Sequence, residues 1–431
     1  MRIAVLGLGT VGRHVVEALD GERELFRGRL GEEIEVTRIL VQDPRRERPE
    51  TVRERITFRA EEILADPDIE IVVELMGGLE PARSYIEAAL KAGKSVVTAN
   101  KEVIARSGPA LSLSARPGAD LLFEAAVAGG IPIIRSIQES LAGNRLRAIY
   151  GIVNGTTNFI LSRMQQDGGS LADALAEASR LGYAEADPSD DLDALDAVRK
   201  ISILASLAFG GWVDVDLVAK EGIRAITEED MAEAKRLGGV IKLVARAEAT
   251  PDGLTLGVSP TLIPLGHPLA DVQGAQNAIY VRGEPIGELI FQGPGAGGPA
   301  TSSAVIGDII DAARSRRAGG RSVALPREPA PLVPLGRHAH SYYLRLRLRD
   351  EPGALALVAQ AFAGAGVTLR SVRQPMSRSG ESTISLVTGP TRRAQLEEAR
   401  LRLRQSPAVL AEESLILSEL EPPPTHPAQG Q

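Results

Sequence analysis

Residues 2–12 read RIAVLGLGTVG: a short apolar run, then Gly7, Gly9 and Gly12 in the spacing Gly-x-Gly-x-x-Gly. The run has the length and composition of a buried strand, and a helical pattern begins at about Thr10. Glycines between a strand and a helix allow a tight turn. They also let a pyrophosphate approach backbone N–H groups at the helix N-terminus. Gly7, Leu8, Gly9, Thr10, Val11 and Gly12 are therefore the expected dinucleotide contacts.

The pattern that follows supports this. Apolar strand-like runs at 33–41, 69–75, 95–101 and 119–134 alternate with helical stretches and Gly-rich turns. Such alternation predicts a parallel sheet with helices on both faces, with ligands beyond the carboxyl ends of its strands. Thr98, Asn100, Lys101 and Glu124 fall at such ends. Residues 156–246 are mostly helical in pattern, and a Gly-rich loop at 293–298 leads into a helix that returns to the first domain. Four prolines between 326 and 334 read as a linker. Beyond it the pattern is strand, helix, strand, strand, helix, strand, the ferredoxin-like order. Leu344, Leu346 and Leu348 alternate there with Arg345, Arg347 and Arg349, which predicts one apolar and one polar face. The last residues, 421–431, read as a disordered tail.

With a net charge of −7, neither nucleic acid nor an anionic membrane is expected as partner. No stretch approaches the about 20 apolar residues of a membrane span, and no signal peptide is visible, so the expectation is cytoplasmic. Cysteine is absent, which removes thiol nucleophiles and thiolate metal sites.

At the end of the second strand an acid favours NAD and an arginine favours NADP. The sequence there, LVQDPRRER, holds Gln42 and Asp43, then Arg45 and Arg46, and leaves both coenzymes open.

Only seven of the 49 basic residues are lysines. A lysine kept in an Arg-rich chain points to a need for a compact ammonium whose pKa can fall. Lys200 stands at the mouth of an apolar helix, ISILASLAFGG, behind the acids of DDLDALDAVRK. Asp193, Asp196 and Lys200 fall on one helical face. Asp196 with Lys200 also fits an ordinary i,i+4 pair, and the acids suit a helix first turn. The apolar surroundings and the nearby Glu185, Asp187, Asp190 and Asp191 favour chemistry instead. Carboxylates would hold a substrate ammonium, and the lysine would move a hydroxyl proton during hydride transfer.

Taken in order, GLGTVG, ELMGG, VVTANKEVIA, FEAAVAGGIPII, GIVNGTTNFIL, GYAEADPSDDLDALDAVRKISILA and GPGAGGPATSSAV resemble homoserine dehydrogenase. The stretch LRLRDEPGALALVAQAFAGAGVTLRSVRQ resembles an ACT domain, an amino-acid-sensing module. The resemblance implies an α/β protein: a Rossmann-type doubly wound parallel sheet, an α+β catalytic and dimerisation domain, and a C-terminal ferredoxin-like ACT domain. The expected boundaries are 1–133, completed by 298–318, for the dinucleotide-binding domain and 134–297 for the catalytic domain. A linker at 319–340, the ACT domain at 341–420 and the tail at 421–431 follow.

The resemblance also implies roles. Lys200 matches a general acid/base, and Lys101 a second active-site lysine. Glu185 and Asp196, with Asp190 and Asp191 in support, match homoserine-binding carboxylates. Gln42, Arg45, Thr98, Lys101, Gly182 and Gly298 join the coenzyme contacts. Glu124 with the backbone of Val127, Gly129 and Ile131 matches a monovalent-cation site, sodium by expectation; by pattern alone the segment is a strand-to-helix turn. Gln42 stands where many relatives have Arg, which makes Arg45 or Arg46 the substitute for holding an NADP phosphate. The implied reaction is reversible, NAD(P)-dependent reduction of L-aspartate 4-semialdehyde to L-homoserine. Threonine is the implied effector, at Asp350, Pro352 and Gly353, and a homodimer or homotetramer the implied assembly. A non-catalytic dinucleotide and amino-acid sensor, or another Rossmann-type amino-acid dehydrogenase, is the alternative.

Overall fold

A computed structural model of the chain describes residues 1–319, 325–375 and 380–419. The expected tail at 421–431 lies outside the described residues, as do positions 320–324 of the expected linker. The chain forms two compact units, and neither is continuous in sequence. The first takes Met1–Ile149, Arg199–Val218 and Asn277–Pro331; the second takes Tyr150–Val198, Ala219–Gln276 and the chain from Leu332 onward.

The first unit is built on a six-stranded sheet. Its strands lie in the order Ile56–Thr57, Glu35–Leu40, Arg2–Leu6, Ile71–Glu74, Ser95–Thr98, Leu121–Leu122, and every pair is parallel. Side chains alternate between two cores. Ile3, Val5, Ile71, Val73 and Val97 enter one, and Ala4, Leu6, Val72 and Val96 the other. Burial on both faces explains why these strands read as unbroken apolar runs rather than alternating ones. Helix Thr10–Gly21 covers the first face through Val15, Val16 and Leu19, and helix Gly298–Arg317 joins it through Val305 and Ile309. Helix Ala82–Lys91 covers the second face with Ile86 and Leu90. The strand order reverses between Arg2–Leu6 and Ile71–Glu74, the position at which sheets of this kind take a ligand.

In the second unit, strand Gly239–Thr250 pairs antiparallel with Gly253–Pro264 along its whole length. The other edge of Gly253–Pro264 takes two parallel partners, Ala219–Lys220 and Val409–Ser418. Val409–Ser418 closes a C-terminal module in which strands Val409–Ser418, Ser341–Arg349, Glu381–Thr388 and Leu369–Arg373 lie side by side, all antiparallel. Helices Ala354–Gly364 and Arg393–Gln405 supply Val358, Phe362, Leu396 and Leu403 to a core with Leu344, Leu346 and Leu348.

The opposite face of strand Ser341–Arg349 departs from the polar face its alternation predicts. Arg345 is only 6% exposed. Its guanidinium meets Asp230 at 2.9 Å and Glu413 at 2.6 Å, and Asp230 also accepts from Tyr343 Oη and Ser414 Oγ. Asp230 comes from helix Glu228–Arg236, which covers this part of the sheet. Period-2 spacing tells which side a residue takes; it does not tell what later covers that side.

Candidate active site

Three glycines shape the first turn in different ways. Gly7 has φ +101°, and a Cβ there would lie 2.7 Å from Leu75 O. A Cβ on Gly12 would lie 2.2 Å from Gly7 O, so helix and turn touch through it. Gly9 is different: its backbone is extended, and an added Cβ would meet nothing within 4 Å. The fold needs Gly7 and Gly12, whereas bareness at Gly9 leaves space for a ligand to approach the backbone. Helix Thr10–Gly21 has no side-chain cap and no acid in its first turn. Its N-terminal dipole is therefore unopposed, which suits a phosphate.

Gln42, Asp43, Arg45 and Arg46 are all exposed, just past strand Glu35–Leu40. The Asp43 carboxylate accepts from Arg45 N at 2.8 Å, and Arg48 donates to Asp43 O and Arg46 O. Asp43 therefore shapes its own turn, and the guanidinium of Arg45 is left on the surface.

At the ends of the two neighbouring strands, Glu74 and Thr98 are fully buried. Thr98 donates its hydroxyl to Glu74 at 2.6 Å, so what it offers a coenzyme is backbone and position. Asn100 caps helix Lys101–Ser114 by accepting from Val103 N, and Lys101 is the first residue of that helix. In the sequence Glu74 stood out only as the first residue of the ELMGG segment and by its place at a strand end.

In the second unit, Asn154 gathers the acids. Its Oδ1 accepts from Thr157 N at 2.9 Å and caps helix Gly155–Asp167. That fixes the amide, and Nδ2 donates both ways, to Asp191 at 2.7 Å and Asp196 at 2.9 Å. Two carboxylates drawn to one nitrogen repel, and they invite a cation. The motif NGTTN marked this segment; an Asn N-cap with a free amide end was the signal that could have given Asn154 its part.

Asp193 turns elsewhere, into a two-pronged pair with Arg224, and Asp187 accepts from Ser189 N. Glu185 and Asp190 are exposed. Between the short helix Ser189–Leu192 and helix Leu195–Phe209, Ala194 has φ +65°. A non-glycine residue held left-handed is strained, and such strain clusters at functional sites. Gly182, at φ +79°, follows helix Leu171–Arg180.

Asp196 and Lys200 share helix Leu195–Phe209, one turn apart, at 4% and 8% exposure. Lys200 is thus an inward-turned ammonium. Two other lysines warn against reading burial alone as chemistry. Lys94 donates to Asp66 O and Ile69 O. Lys242 donates to Asn158, Ser162 and Val272 O, and burial pushes its pKa down to about 8. In these two the compact ammonium serves to tie carbonyls and amides together.

At the turn 124–131 the Glu124 oxygens accept from Ile134 N and Arg135 N, both at 2.8 Å. Each oxygen keeps a further lone pair, so the carboxylate could still face a cation together with main-chain carbonyls. That of Ile131 already accepts from Ile133 N. Among the described residues no group of three His, Cys, Asp or Glu is set to hold a metal. Ala128 and Gly129 are both left-handed, and a Cβ on Gly129 would lie 2.5 Å from Gly295 O, so the 293–298 loop rests on this turn. A Cβ on Gly298 would strike the His14 ring at 2.5 Å, so Gly298 serves the packing of its helix on Thr10–Gly21.

Asp350, Pro352 and Gly353 are exposed at the start of helix Ala354–Gly364, with Gly353 left-handed at φ +93°. No described helix is long and apolar enough to cross a membrane.

Two family models match the chain: "Homoserine dehydrogenase, NAD binding domain" over residues 7–124 and "Homoserine dehydrogenase" over 132–310. The homoserine dehydrogenase of Corynebacterium glutamicum is 42% identical, over 97% of this chain and 95% of its own length. That of Bacillus subtilis is 37% identical, over 92% and 93%. Among solved structures, a homoserine dehydrogenase from Thiobacillus denitrificans superposes with a TM-score of 0.91 at 37% identity, covering 98% of this chain and 99% of its own. A hyperthermophilic archaeal homoserine dehydrogenase in complex with NADPH gives a TM-score of 0.60 at 30% identity, covering 72% and 97%.

Proposed function

We propose a course for the reaction of this chain, which belongs to the homoserine dehydrogenase family of NAD(P)-dependent oxidoreductases. The substrate pair is L-aspartate 4-semialdehyde and L-homoserine. Hydride to or from the substrate carbon is the chemistry the coenzyme supplies when bound. Asp191 and Asp196, aligned by Asn154, hold the substrate ammonium, and Glu185 and Asp190 close around it from the exposed side. In the reducing direction Lys200 gives a proton to the carbonyl oxygen; in the oxidising direction its neutral amine takes the hydroxyl proton. Lys101, a second cation, disfavours the charged form of Lys200.

The observation that carries this reading is an ammonium 8% exposed, one turn along a helix from a carboxylate 4% exposed. Burial disfavours the charged form of an amine, and the acids around this one set it apart from Lys94 and Lys242, which donate to main-chain carbonyls. Gly7, Gly9, Gly12 and the open helix N-terminus take the pyrophosphate. Arg45 is the group for an NADP phosphate, since Asp43 is bound into its own turn. A monovalent cation at 124–131 would be held by Glu124 with the main-chain carbonyls of Val127, Gly129 and Ile131, structural to the turn. The C-terminal module reads as an ACT domain with threonine as effector, in a homodimer or homotetramer. The reading as a non-catalytic sensor falls with the family assignment.

The test is absorbance at 340 nm with homoserine and NADP or NAD, across pH. Homoserine-dependent reduction of coenzyme is expected; its absence at every pH would overturn the reaction. Arg45→Ala should raise KM for NADP and leave that for NAD.

A further inference from the structure

We propose that Glu74 is a positioning residue of the reaction: through Thr98 and Asn100 it sets where the helix carrying Lys101 begins. The proposal rests on the reading of Lys101 as an active-site lysine. Glu74 ends the strand beside Arg2–Leu6, where the strand order reverses, and it is 0% exposed. A carboxylate this deep is costly unless both oxygens are hydrogen-bonded. Oε1 accepts from Met76 N at 2.7 Å, and Oε2 from the Thr98 hydroxyl at 2.6 Å.

The second bond has a directional consequence. An ionised carboxylate only accepts, so the Thr98 proton must point to Glu74 and the Thr98 lone pairs face away. One of them accepts from Asn100 N at 2.9 Å. Asn100 then sends Nδ2 to Gly78 O at 2.7 Å and offers Oδ1 to Val103 N. The carboxyl ends of two adjacent strands, the 75–78 loop and the first turn of the helix are thereby tied into one ring. Lys101 is the first helical residue after that ring. A Gln or Leu at position 74 would fill the space with less cost; only a pure acceptor fixes the Thr98 hydroxyl as donor to it, while main-chain groups set the direction of the remaining bonds.

The test uses the full-length protein and four variants. Lys101→Ala is the reference for loss of the lysine. Thr98→Val removes the hydroxyl at nearly constant shape, and Thr98→Ser returns it. Glu74→Gln removes the acceptor-only group. Thr98→Val and Glu74→Gln are expected to lower kcat by about ten- to a hundredfold, as small misplacements of catalytic groups do. Thr98→Ser should recover most of that loss. The double variant Glu74→Gln/Thr98→Val should be no worse than the weaker single, because both cut one chain. The acidic limb of the kcat–pH profile for homoserine oxidation should move to higher pH in each of these, as in Lys101→Ala, since a displaced ammonium no longer disfavours charged Lys200.

If Lys101→Ala loses activity while Thr98→Val keeps a wild-type kcat and pH profile, the positioning role is overturned and the reading of Lys101 stands. Losses that add in the double variant, or a lowered Tm with an unshifted profile, overturn it as well. A silent Lys101→Ala overturns the reading of that lysine and the proposal with it. Should Glu74→Gln fail to fold, the Thr98→Val and Thr98→Ser pair decides alone.

Discussion

Asn154 donates to Asp196 across 2.9 Å while its own carbonyl oxygen is pinned as a helix cap. The cap orients the amide, the amide orients the acid, and Asp196 lies in the first turn of the helix that carries Lys200. The carboxylate proposed to hold substrate and the ammonium proposed to move the proton thus lie on one helix, a support of the kind that positions reacting groups.

Asn154→Ser keeps an oxygen at the cap and removes both amide donors. We expect KM for homoserine to rise about tenfold or more, in line with the loss of buried hydrogen bonds to charged groups, while Tm and KM for the coenzyme stay close to wild type. Unchanged homoserine kinetics would remove Asn154 from the site.

Lys200→Ala should abolish turnover while NADPH still binds, as read by its fluorescence. Lys200→Arg should not rescue it, because a guanidinium does not give up its proton at neutral pH. Appreciable turnover by either variant would refute the assignment of acid and base.

Gly9→Ala and Gly12→Ala separate ligand space from packing. At Gly9 the backbone accepts an L-residue and the space is open, so Tm should hold while KM for the coenzyme rises. At Gly12 the new Cβ would lie 2.2 Å from Gly7 O, so Tm itself should fall. Equal Tm losses in the two variants would contradict this division.

Asp308 makes stability depend on pH. Burial, and next the charge of Glu124, raise its pKa to about 8 from the ordinary carboxylate range. A carboxyl whose pKa is higher folded than unfolded stabilises fully below its unfolded value and loses that contribution as pH rises through the folded one. Stability should therefore decline between about pH 4 and 8 in the native chain, and Asp308→Asn should flatten that decline. Melting curves across this range check it; parallel curves for both proteins would show that Asp308 ionises normally.

Threonine titrated against the initial rate should depress it, and Asp350→Ala should blunt the response. A flat curve for the native enzyme would remove the effector and leave the C-terminal module a purely structural part.

Much of this was legible in residue order because it is governed by local physics. A strand buried on both faces must be apolar throughout, and a backbone that bends sharply to meet a phosphate must be glycine; hence RIAVLGLGTVG announced the sheet, the turn and the coenzyme crevice. Lys200, set before an apolar helix, announced its own burial. What residue order could not contain is which distant groups share a hydrogen bond. Glu74 and Thr98 lie 24 residues apart, and Asn154 reaches across 42 to Asp196. Arg345 alternates with leucines like any surface arginine, yet Asp230, 115 residues earlier, takes it inside. Periodicity is a property of one segment, whereas the partner of a buried polar group is chosen by which segments pack together, and that choice exists only in the folded chain.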